Sequence, residues 1–362
     1  MDPIDPAVMF TQAAQLSHDL TRLTGPVTEQ ITGLLPPGGW TSVDRVYLSG
    51  DGDSYHAACA VQWAFTSLAG IDCHAISAQH LLSYPPNLST RGPERRALVI
   101  GISASGTTKR VQQLLTQARE RGALTVAVTG RPGSPVTQEA EHSLIVELTQ
   151  NQPSPGIRTY QASLLGLLLI AVHLSSHRSG GPVAAPKLLR AEILALADRI
   201  EATSHAAAQH CPALVKTIAH APAMTLLGSG PSHGTALFAA AKIIEAASIF
   251  AVGQDLEEWS HVERFARPYT MPLFLIAPPG PTHPRAVQVA RHARSLGRYV
   301  IAVTTADDDD LTMHAHTVLP VHGHPREEFS PLLYGLFAAH LAGGLAQHLK
   351  RQPFQDTPIT RD

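Results

Sequence analysis

The chain has 362 residues, of which 44% are hydrophobic and 15% are charged, so it can build sizeable cores and is not intrinsically disordered. Its 27 Lys and Arg against 29 Asp and Glu give a formal charge of −2, which excludes the basic surface that non-specific nucleic-acid binding needs. The length suggests about two domains of ~150 residues each.

Cysteine content and the N-terminal sequence predict a cytoplasmic protein. The three cysteines, Cys59, Cys73 and Cys211, are odd in number and show no CxxC spacing, which favours a reducing compartment. The N-terminal sequence MDPIDPAVMF lacks the basic and apolar segments of a signal peptide. The longest apolar run, 164–172, is far shorter than the ~20 residues of a membrane span, so we expect no membrane partner.

Alternating strand and helix patterns run along both halves of the chain. Continuous apolar runs are typical of strands that are covered on both faces. The predicted strands are 43–49, 98–103, 124–129, 144–147, 224–228, 273–277, 299–304 and 318–321. Amphipathic patterns at 107–121 and 283–296 predict helices between them. The alternation predicts an α/β fold with parallel sheets flanked by helices, in three layers of the flavodoxin-like type.

The two halves repeat the same order of features. The first predicted strand ends in SGDGDS at 49–54, and a corresponding strand in the second half ends in LGSGPS at 227–232. An Ala-rich helix follows each of them, so we infer an internal duplication. The predicted organisation is an N-terminal helical segment at 1–40, a first domain at 41–180, a linker helix at 181–212, a second domain at 213–350 and a tail at 351–362.

Gly and hydroxyl residues follow two strands of the first half and predict a phosphate site. Residues 50–54 let backbone N–H groups approach an anion, and residues 103–108 place four hydroxyls where a helix begins. Ligands of parallel sheets bind at such strand ends. The chain has no GxxxxGK[ST] motif and no complete GxGxxG motif, which argues against a nucleoside triphosphate and a dinucleotide. The alternative is that these Ser and Thr residues only cap helices.

The segment VIGISASGTT at 99–108 resembles the signature of sugar isomerase (SIS) domains, and 49–57 and 129–135 resemble other parts of that domain. The resemblance covers roughly residues 40–350 as two tandem SIS domains. This tandem arrangement is similar to the isomerase half of glucosamine-6-phosphate synthase and to fructosamine 6-phosphate deglycases. The substrate-binding residues that it implies are Gly52, Ser54, Ser103, Ser105, Gly106 and Thr108.

A Lys–Glu pair interrupts an apolar helix of the second half. Lys242 and Glu245 are at i and i+3 and share a helix face, and His261 follows Glu245 by 16 positions. The synthases and deglycases have a general-base Glu and a His at this spacing. The resemblance therefore implies Glu245 as the base for proton transfer between C1 and C2, and His261 as the ring-opening acid–base. Lys242 would stabilise charge on the enediol oxygens. The alternatives are a surface salt bridge and a structural His.

Two further basic residues and one departure from the synthases affect the assignment. Arg158 follows the last strand of the first domain, at a place that faces the sugar in the family, so it either binds substrate or caps a loop. Lys350 does not clearly match the C-terminal Lys of the synthases. We expect no glutaminase domain before the first SIS domain, which favours a deglycase, a deaminase or a plain isomerase over a synthase. The chain has no HExxH motif, and we expect no metal site and no cofactor.

These observations predict an enzyme that acts on an amino sugar phosphate or a fructosamine 6-phosphate by ring opening and C1/C2 proton transfer. An aldose–ketose phosphosugar isomerase is the close alternative, and a non-catalytic phosphosugar-binding regulator is another. Because the family takes its His from the neighbouring subunit, we expect a homodimer whose active sites are shared.

Overall fold

Two five-stranded parallel sheets form the centres of the two halves. The computed structural model describes residues 4–86, 88, 96–177 and 185–355. The strands of the first sheet are β1 (Val43–Gly50), β2 (Asp72–Ser77), β3 (Arg96–Ile102), β4 (Leu124–Thr129) and β5 (His142–Ile145). Those of the second are β6 (Met224–Gly228), β7 (Ala251–Asp255), β8 (Pro272–Ile276), β9 (Tyr299–Thr305) and β10 (Thr317–Val321).

The two sheets have the same topology. The first is ordered β2-β1-β3-β4-β5, and the second is ordered β10-β9-β8-β6-β7. Because β6 to β10 correspond in turn to β1 to β5, both orders are the 2-1-3-4-5 order of flavodoxin-like folds. Every strand pair is parallel. The predicted α/β fold is therefore confirmed, and the duplication extends to the strand order.

Helices cover both faces of each sheet. Those of the first half are α1 (Ala7–Thr32), α2 (Gly39–Ser42), α3 (Asp53–Ala69), α4 (Ala78–Ser83), α5 (Lys109–Glu120), α6 (Pro135–Glu139) and α7 (Arg158–Ser175). Those that follow are α8 (Pro186–Leu194), α9 (Ala197–Ile218), α10 (Pro231–Ala247), α11 (Leu256–His261), α12 (His283–Ser295), α13 (Asp309–Thr312), α14 (Pro331–Tyr334) and α15 (Phe337–Leu349). Short 3₁₀ turns lie at Glu263–Phe265 and Glu327–Phe329.

The main core lies between the two sheets. Helices α3 and α7 from the first half pack with α10 and α15 from the second, and α1 contacts α7, α9 and α15. Most residues of α7 are buried, which explains why its sequence is apolar on almost all sides. The stretch Glu327–Leu349 is long and apolar enough to cross a membrane, but 83% of its most apolar window is buried, as in a core helix. All three cysteines are unpaired and buried.

The chain segment that connects the two halves holds two helices, α8 and α9, where the sequence predicts one linker helix at 181–212. Helix α9 continues to Ile218, beyond the predicted start of the second domain. The predicted border at 180/181 lies outside the described residues. Together, α8, α9 and α1 join the two halves into one continuous core.

Candidate active site

The first sheet offers a crevice at the carboxyl ends of β1 and β3. These strands are neighbours, and the chain leaves β1 towards β2 on one side and returns to β3 on the other. Such a switch point separates the two following loops, and ligands of open α/β sheets bind there. Both segments predicted from the sequence to hold phosphate, 50–54 and 103–108, begin at these strand ends.

Two glycines shape the loop after β1. A Cβ atom on Gly50 would lie 2.6 Å from the Cβ of Ser54 and 3.0 Å from the carbonyl oxygen of Ile102, so a side chain would push the two strand ends apart. Gly52 has a φ of +54°, which residues with a side chain rarely adopt. The tight turn places the N-terminus of α3, with its unpaired N–H groups and partial positive charge, directly after the strand.

The loop after β3 contains the four predicted hydroxyls, which form two pairs. Ser103 Oγ lies 2.8 Å from Thr108 Oγ1, and Ser105 Oγ lies 3.0 Å from Thr107 Oγ1. Each pair uses one O–H as a donor and leaves the other O–H for a ligand. Gly106, with a φ of +72°, closes the turn by donating its N–H to the Ser103 carbonyl at 2.9 Å. The loop can therefore donate hydroxyl and backbone hydrogen bonds to an anion.

A polar cavity of about 240 Å³ adjoins this loop. Its lining includes Ala104, Arg131, Glu147, Asn151, Thr159 and Ser163. These residues follow β3, β4 and β5 or lie in the first turns of α7, so the cavity extends the crevice along the carboxyl edge of the sheet.

The predicted Lys–Glu pair reaches the first half through helix packing. The side chain of Lys242 is completely buried, and its Nζ donates to Glu245 Oε2 at 2.5 Å and to Asp53 Oδ2 at 2.6 Å. Asp53 is the first residue of α3, between Gly52 and Ser54. One ammonium group thus joins the loop after β1 to the carboxylate of Glu245.

A glycine lets the two helices approach closely enough for this contact. A Cβ atom on Gly234 of α10 would lie 2.6 Å from the Cα of Ala60 in α3. Small residues at a helix crossing bring the two backbones together, so that side chains further along can meet. This contact is built from residues distant in sequence.

The surroundings move the pKa values of the two carboxyl groups in opposite directions. Burial raises the pKa of Glu245, and the negative charge of Asp53 adds to the increase, while the attraction of Lys242 opposes it. Burial also acts to raise the pKa of Asp53, but Lys242 and the imidazole of His56, 3.7 Å away, hold that pKa below its ordinary value. Two carboxyl groups with separated pKa values are typical of acid–base sites.

Lys242 occupies a different place from the one predicted from the resemblance. A group that stabilises enediol oxygens must contact the sugar, whereas this ammonium is buried and bound to Asp53 and Glu245. In this arrangement Lys242 orients Glu245, whose side chain is 28% exposed.

Lys350, the other lysine considered in the sequence, is exposed and ends α15 with a φ of +54°.

His261 lies at the surface. Its side chain is 68% exposed, and its Nε2 is 3.1 Å from Glu257 Oε1. Arg285 also binds Glu257, at 2.6 and 3.1 Å. Within the described part of the chain, no hydrogen bond or ion pair connects His261 with Glu245. One protomer therefore does not bring the predicted base and the predicted ring-opening group together.

Arg158 is held by contacts within the protomer. Its guanidinium forms a bidentate pair with Asp19 of α1, at 2.6 and 2.8 Å, and the whole residue is buried. It also donates to the carbonyl groups of Thr149 and Gln150, at 3.0 and 3.4 Å. These contacts occupy the side chain in tying α1 and the loop before α7 together, so we do not place Arg158 at the sugar.

The corresponding edge of the second sheet differs in charge. Gly230 has a φ of +56°, close to the value of Gly52, and the two glycines occupy the same place in the duplication. Here, however, the Glu327 carboxyl group lies in front of the loops: its Oε2 would lie 3.2 Å from a Cβ atom on Gly280. No hydroxyl-rich segment follows β8, where the sequence reads APPG at 277–280.

Two parallel sheets of this order, with a Gly-rich turn and a hydroxyl-rich turn at the first switch point, are the architecture to which the comparisons with known proteins apply. Residues 41–172 match the family model described as "SIS domain", so the first half of this chain is a SIS domain. The fold as a whole is that of two SIS domains in tandem.

Several relatives resemble this chain. Glutamine–fructose-6-phosphate aminotransferase [isomerizing] of Gloeobacter violaceus is 25% identical over 303 residues, which cover 82% of this chain and 48% of that protein. This chain therefore spans about half the length of the curated relatives that it matches. The solved glucosamine-6-phosphate deaminase of Thermotoga maritima has a TM-score of 0.75 and 17% identity over 96% of each chain. The tagatose-6-phosphate ketose/aldose isomerase of Escherichia coli has a TM-score of 0.76 and 15% identity over 99% of each chain.

Proposed function

We propose that this chain is a cytoplasmic phosphosugar-processing enzyme of the deaminase or deglycase type, acting on an amino sugar phosphate or a fructosamine 6-phosphate. The observation that carries the proposal is the Glu245–Lys242–Asp53 contact, which places a carboxyl group of raised pKa beside the start of α3. The hydroxyl-rich loop follows β3, which is the neighbour of β1 in the sheet. Anion binding and proton transfer can therefore act on one small molecule.

The phosphate group would be held by neutral donors. Ser54, Ser103, Ser105 and Thr108 supply hydroxyls, and the turns at Gly52 and Gly106 expose backbone N–H groups at the starts of α3 and α5. Because these donors belong to rigid strand ends, they would fix the ester while the sugar extends towards the second half.

Glu245 would act as the proton-transfer base on the open-chain sugar. Its carboxylate takes the proton from one of the two carbons C1 and C2 and returns it to the other. For an amino sugar this shift leaves a C=N bond, to which water adds before the amine departs. The raised pKa makes Glu245 a stronger base than an ordinary glutamate, and Lys242 keeps its carboxylate in place.

The names of two structural relatives bear on the choice of reaction. The Thermotoga maritima protein, named a glucosamine-6-phosphate deaminase, and this chain cover each other almost completely. The Escherichia coli protein, named a ketose/aldose isomerase, supports isomerisation without amine release as the second candidate.

His261 would enter the site from a partner subunit in a homodimer. In one protomer it lies apart from Glu245, and large apolar side chains are exposed around both residues. The exposed apolar residues are Ile244, Phe250, Val262 and Phe265. Their burial against a second copy of the chain would remove this apolar surface from water and carry His261 towards the partner's crevice.

The reaction is tested by incubating the protein in D₂O with glucosamine 6-phosphate, fructosamine 6-phosphates and fructose 6-phosphate. Deuterium at C1 or C2, followed by NMR, reports proton transfer, and released amine separates deamination from isomerisation. Glu245→Gln is expected to lower the exchange rate by about 10²- to 10⁴-fold. The control is Glu120→Gln, an exposed residue of α5. Binding without exchange would instead support the regulator.

The shared site is tested by mixing two inactive variants, Glu245→Gln and His261→Asn, and exchanging their subunits. A heterodimer holds one site with both natural residues, so the mixture is expected to regain about one quarter of the native rate. No recovery after verified subunit exchange would contradict the shared site. Light scattering of the native protein checks the dimer independently.

A further inference from the structure

Asp53 is a charged residue of the site to which the proposed function gives no role. It begins α3 between Gly52 and Ser54, and its Oδ2 accepts a hydrogen bond from Lys242 at 2.6 Å. Since Lys242 also binds Glu245 at 2.5 Å, two carboxylates from the two halves share one buried ammonium.

We propose that Asp53 is a positioning residue for proton transfer. Its carboxylate shares the Lys242 ammonium with Glu245, so the Glu245 carboxylate is less strongly paired and stays available as a base. For its effect on the reaction the inference rests on the proposed function. For its electrostatic effect it rests on the geometry of the three side chains.

The carboxylates of Asp53 and Glu245 compete for one ammonium group. If Lys242 had only Glu245 as a partner, the full attraction would stabilise the ionised carboxylate and make it a weaker base. A second carboxylate on the same ammonium divides that attraction and adds its own repulsion. The direction of the Glu245 pKa agrees with this account.

Asp53 also sets the net charge of the cluster during proton transfer. With all three groups ionised, the cluster carries one net negative charge, and uptake of a proton by Glu245 makes it neutral. Without Asp53, the same proton would leave the buried ammonium of Lys242 without a charged partner, which is unfavourable in a site of low polarity. Asp53 therefore favours the protonated intermediate state of Glu245.

The surroundings of Asp53 restrict which residue can serve there. A Cβ atom on Gly156 would lie 2.6 Å from Asp53 Oδ2, so the loop before α7 packs directly against the carboxylate. Asp53 Oδ1 is buried with no hydrogen-bond partner within the described part of the chain, and the imidazole of His56 lies 3.7 Å from it. Among the described residues, Tyr160 of α7 interacts electrostatically with Asp53 and Cys59, and His233 of α10 interacts with His56.

The test measures the titration of Glu245 directly, by ¹³C NMR of labelled carboxyl groups, with Glu245→Gln to assign the signal. Asp53→Asn removes the charge and keeps the shape. The midpoint of Glu245 is expected to fall by about one pH unit, and the acid limb of the kcat/KM profile is expected to move to lower pH with it. Asp72→Asn, an exposed residue of β2, should change neither.

An unchanged Glu245 midpoint in Asp53→Asn overturns the proposal. If Asp53→Asn does not fold, Asp53→Ser is titrated instead, because it also removes the carboxylate and keeps Lys242 in place. The Glu245 midpoint should again be lower than in the native protein, and an equal midpoint overturns the proposal. A native protein that turns over no sugar phosphate would contradict the proposed function, whereas the NMR midpoint would still decide the role of Asp53.

Discussion

Gly234 of α10 lies against Ala60 of α3 so closely that no side chain fits between them. This contact sets the distance between the two helices and, with it, the distance between Lys242 and Asp53. The contact between Lys242 and Asp53 at the candidate site therefore depends on Gly234, which is not among the predicted substrate-binding residues.

We predict that Gly234→Ala lowers both stability and activity. The added methyl group meets the backbone of Ala60, which cannot rotate away, so we expect a loss of about 1–3 kcal/mol in the free energy of unfolding. Urea titration measures it. Gly25→Ala is the control, because nothing lies within 4 Å of its Cβ position. Equal stabilities of the two variants would contradict the tight crossing.

We predict that Ser105→Ala weakens binding of phosphorylated sugars and leaves unphosphorylated ones unaffected. A hydrogen bond to a charged group contributes about 1.5–3 kcal/mol, so KM for the ester should rise by roughly tenfold or more. Ser83→Ala, at an exposed residue of α4, is the control. The same change in KM for both kinds of sugar would exclude a phosphate contact at Ser105.

We predict that Arg158→Met destabilises the protein without a selective effect on substrate binding. Removing one member of a buried bidentate pair leaves Asp19 as an uncompensated buried charge and costs about 3–5 kcal/mol. Thermal unfolding measures the loss. Asp19→Asn should have a similar effect. An unchanged melting temperature together with a raised KM would show that Arg158 contacts the substrate.

We predict that His340 makes stability fall in mild acid. Burial lowers its pKa from 6.5 to about 4, and its Nε2 lies 2.9 Å from Ser204 Oγ. Between these two pH values the unfolded chain binds a proton that the folded chain does not. Stability is therefore complete above 6.5 and decreases as the pH falls towards 4, by on the order of 2 kcal/mol for this group.

His340→Gln should reduce the difference between the free energies of unfolding at pH 7 and pH 5, because glutamine does not titrate there. His292→Gln, at an exposed residue of α12, is the matched control and should retain the native difference. Identical pH dependence in both variants would show that His340 binds its proton equally in both states.

The central strands and two of the four edge strands, β5 and β10, could be predicted from the sequence, and the edge strands β2 and β7 could not. Central strands such as β4 and β9 are covered on both faces, so their sequences are almost wholly apolar. The predicted strands agree with the observed ones to within two residues at each end. Strands β2 and β7 were missed because DCHAIS and AVGQD are edge strands whose residues are mostly half-exposed or polar.

In the candidate site, segments of adjacent residues could be predicted from the sequence, and contacts between residues distant in sequence could not. The hydroxyl-rich segment 103–108 is visible in the sequence because its residues are adjacent. Asp53 was missed as a partner of Lys242, since an acid at the start of a helix is already favourable next to the helix dipole. Only the packing of α3 on α10 shows its contact. Arg158 likewise depends on Asp19, a partner from a distant helix.

The carboxyl group of Glu327 at the second crevice affects how many anions one chain is expected to bind. Although both halves keep the same strand order and the same glycine turn, an anion that approached the second switch point would meet a group able to carry charge of its own sign. We therefore expect the duplicated architecture to bind one anion per polypeptide rather than two.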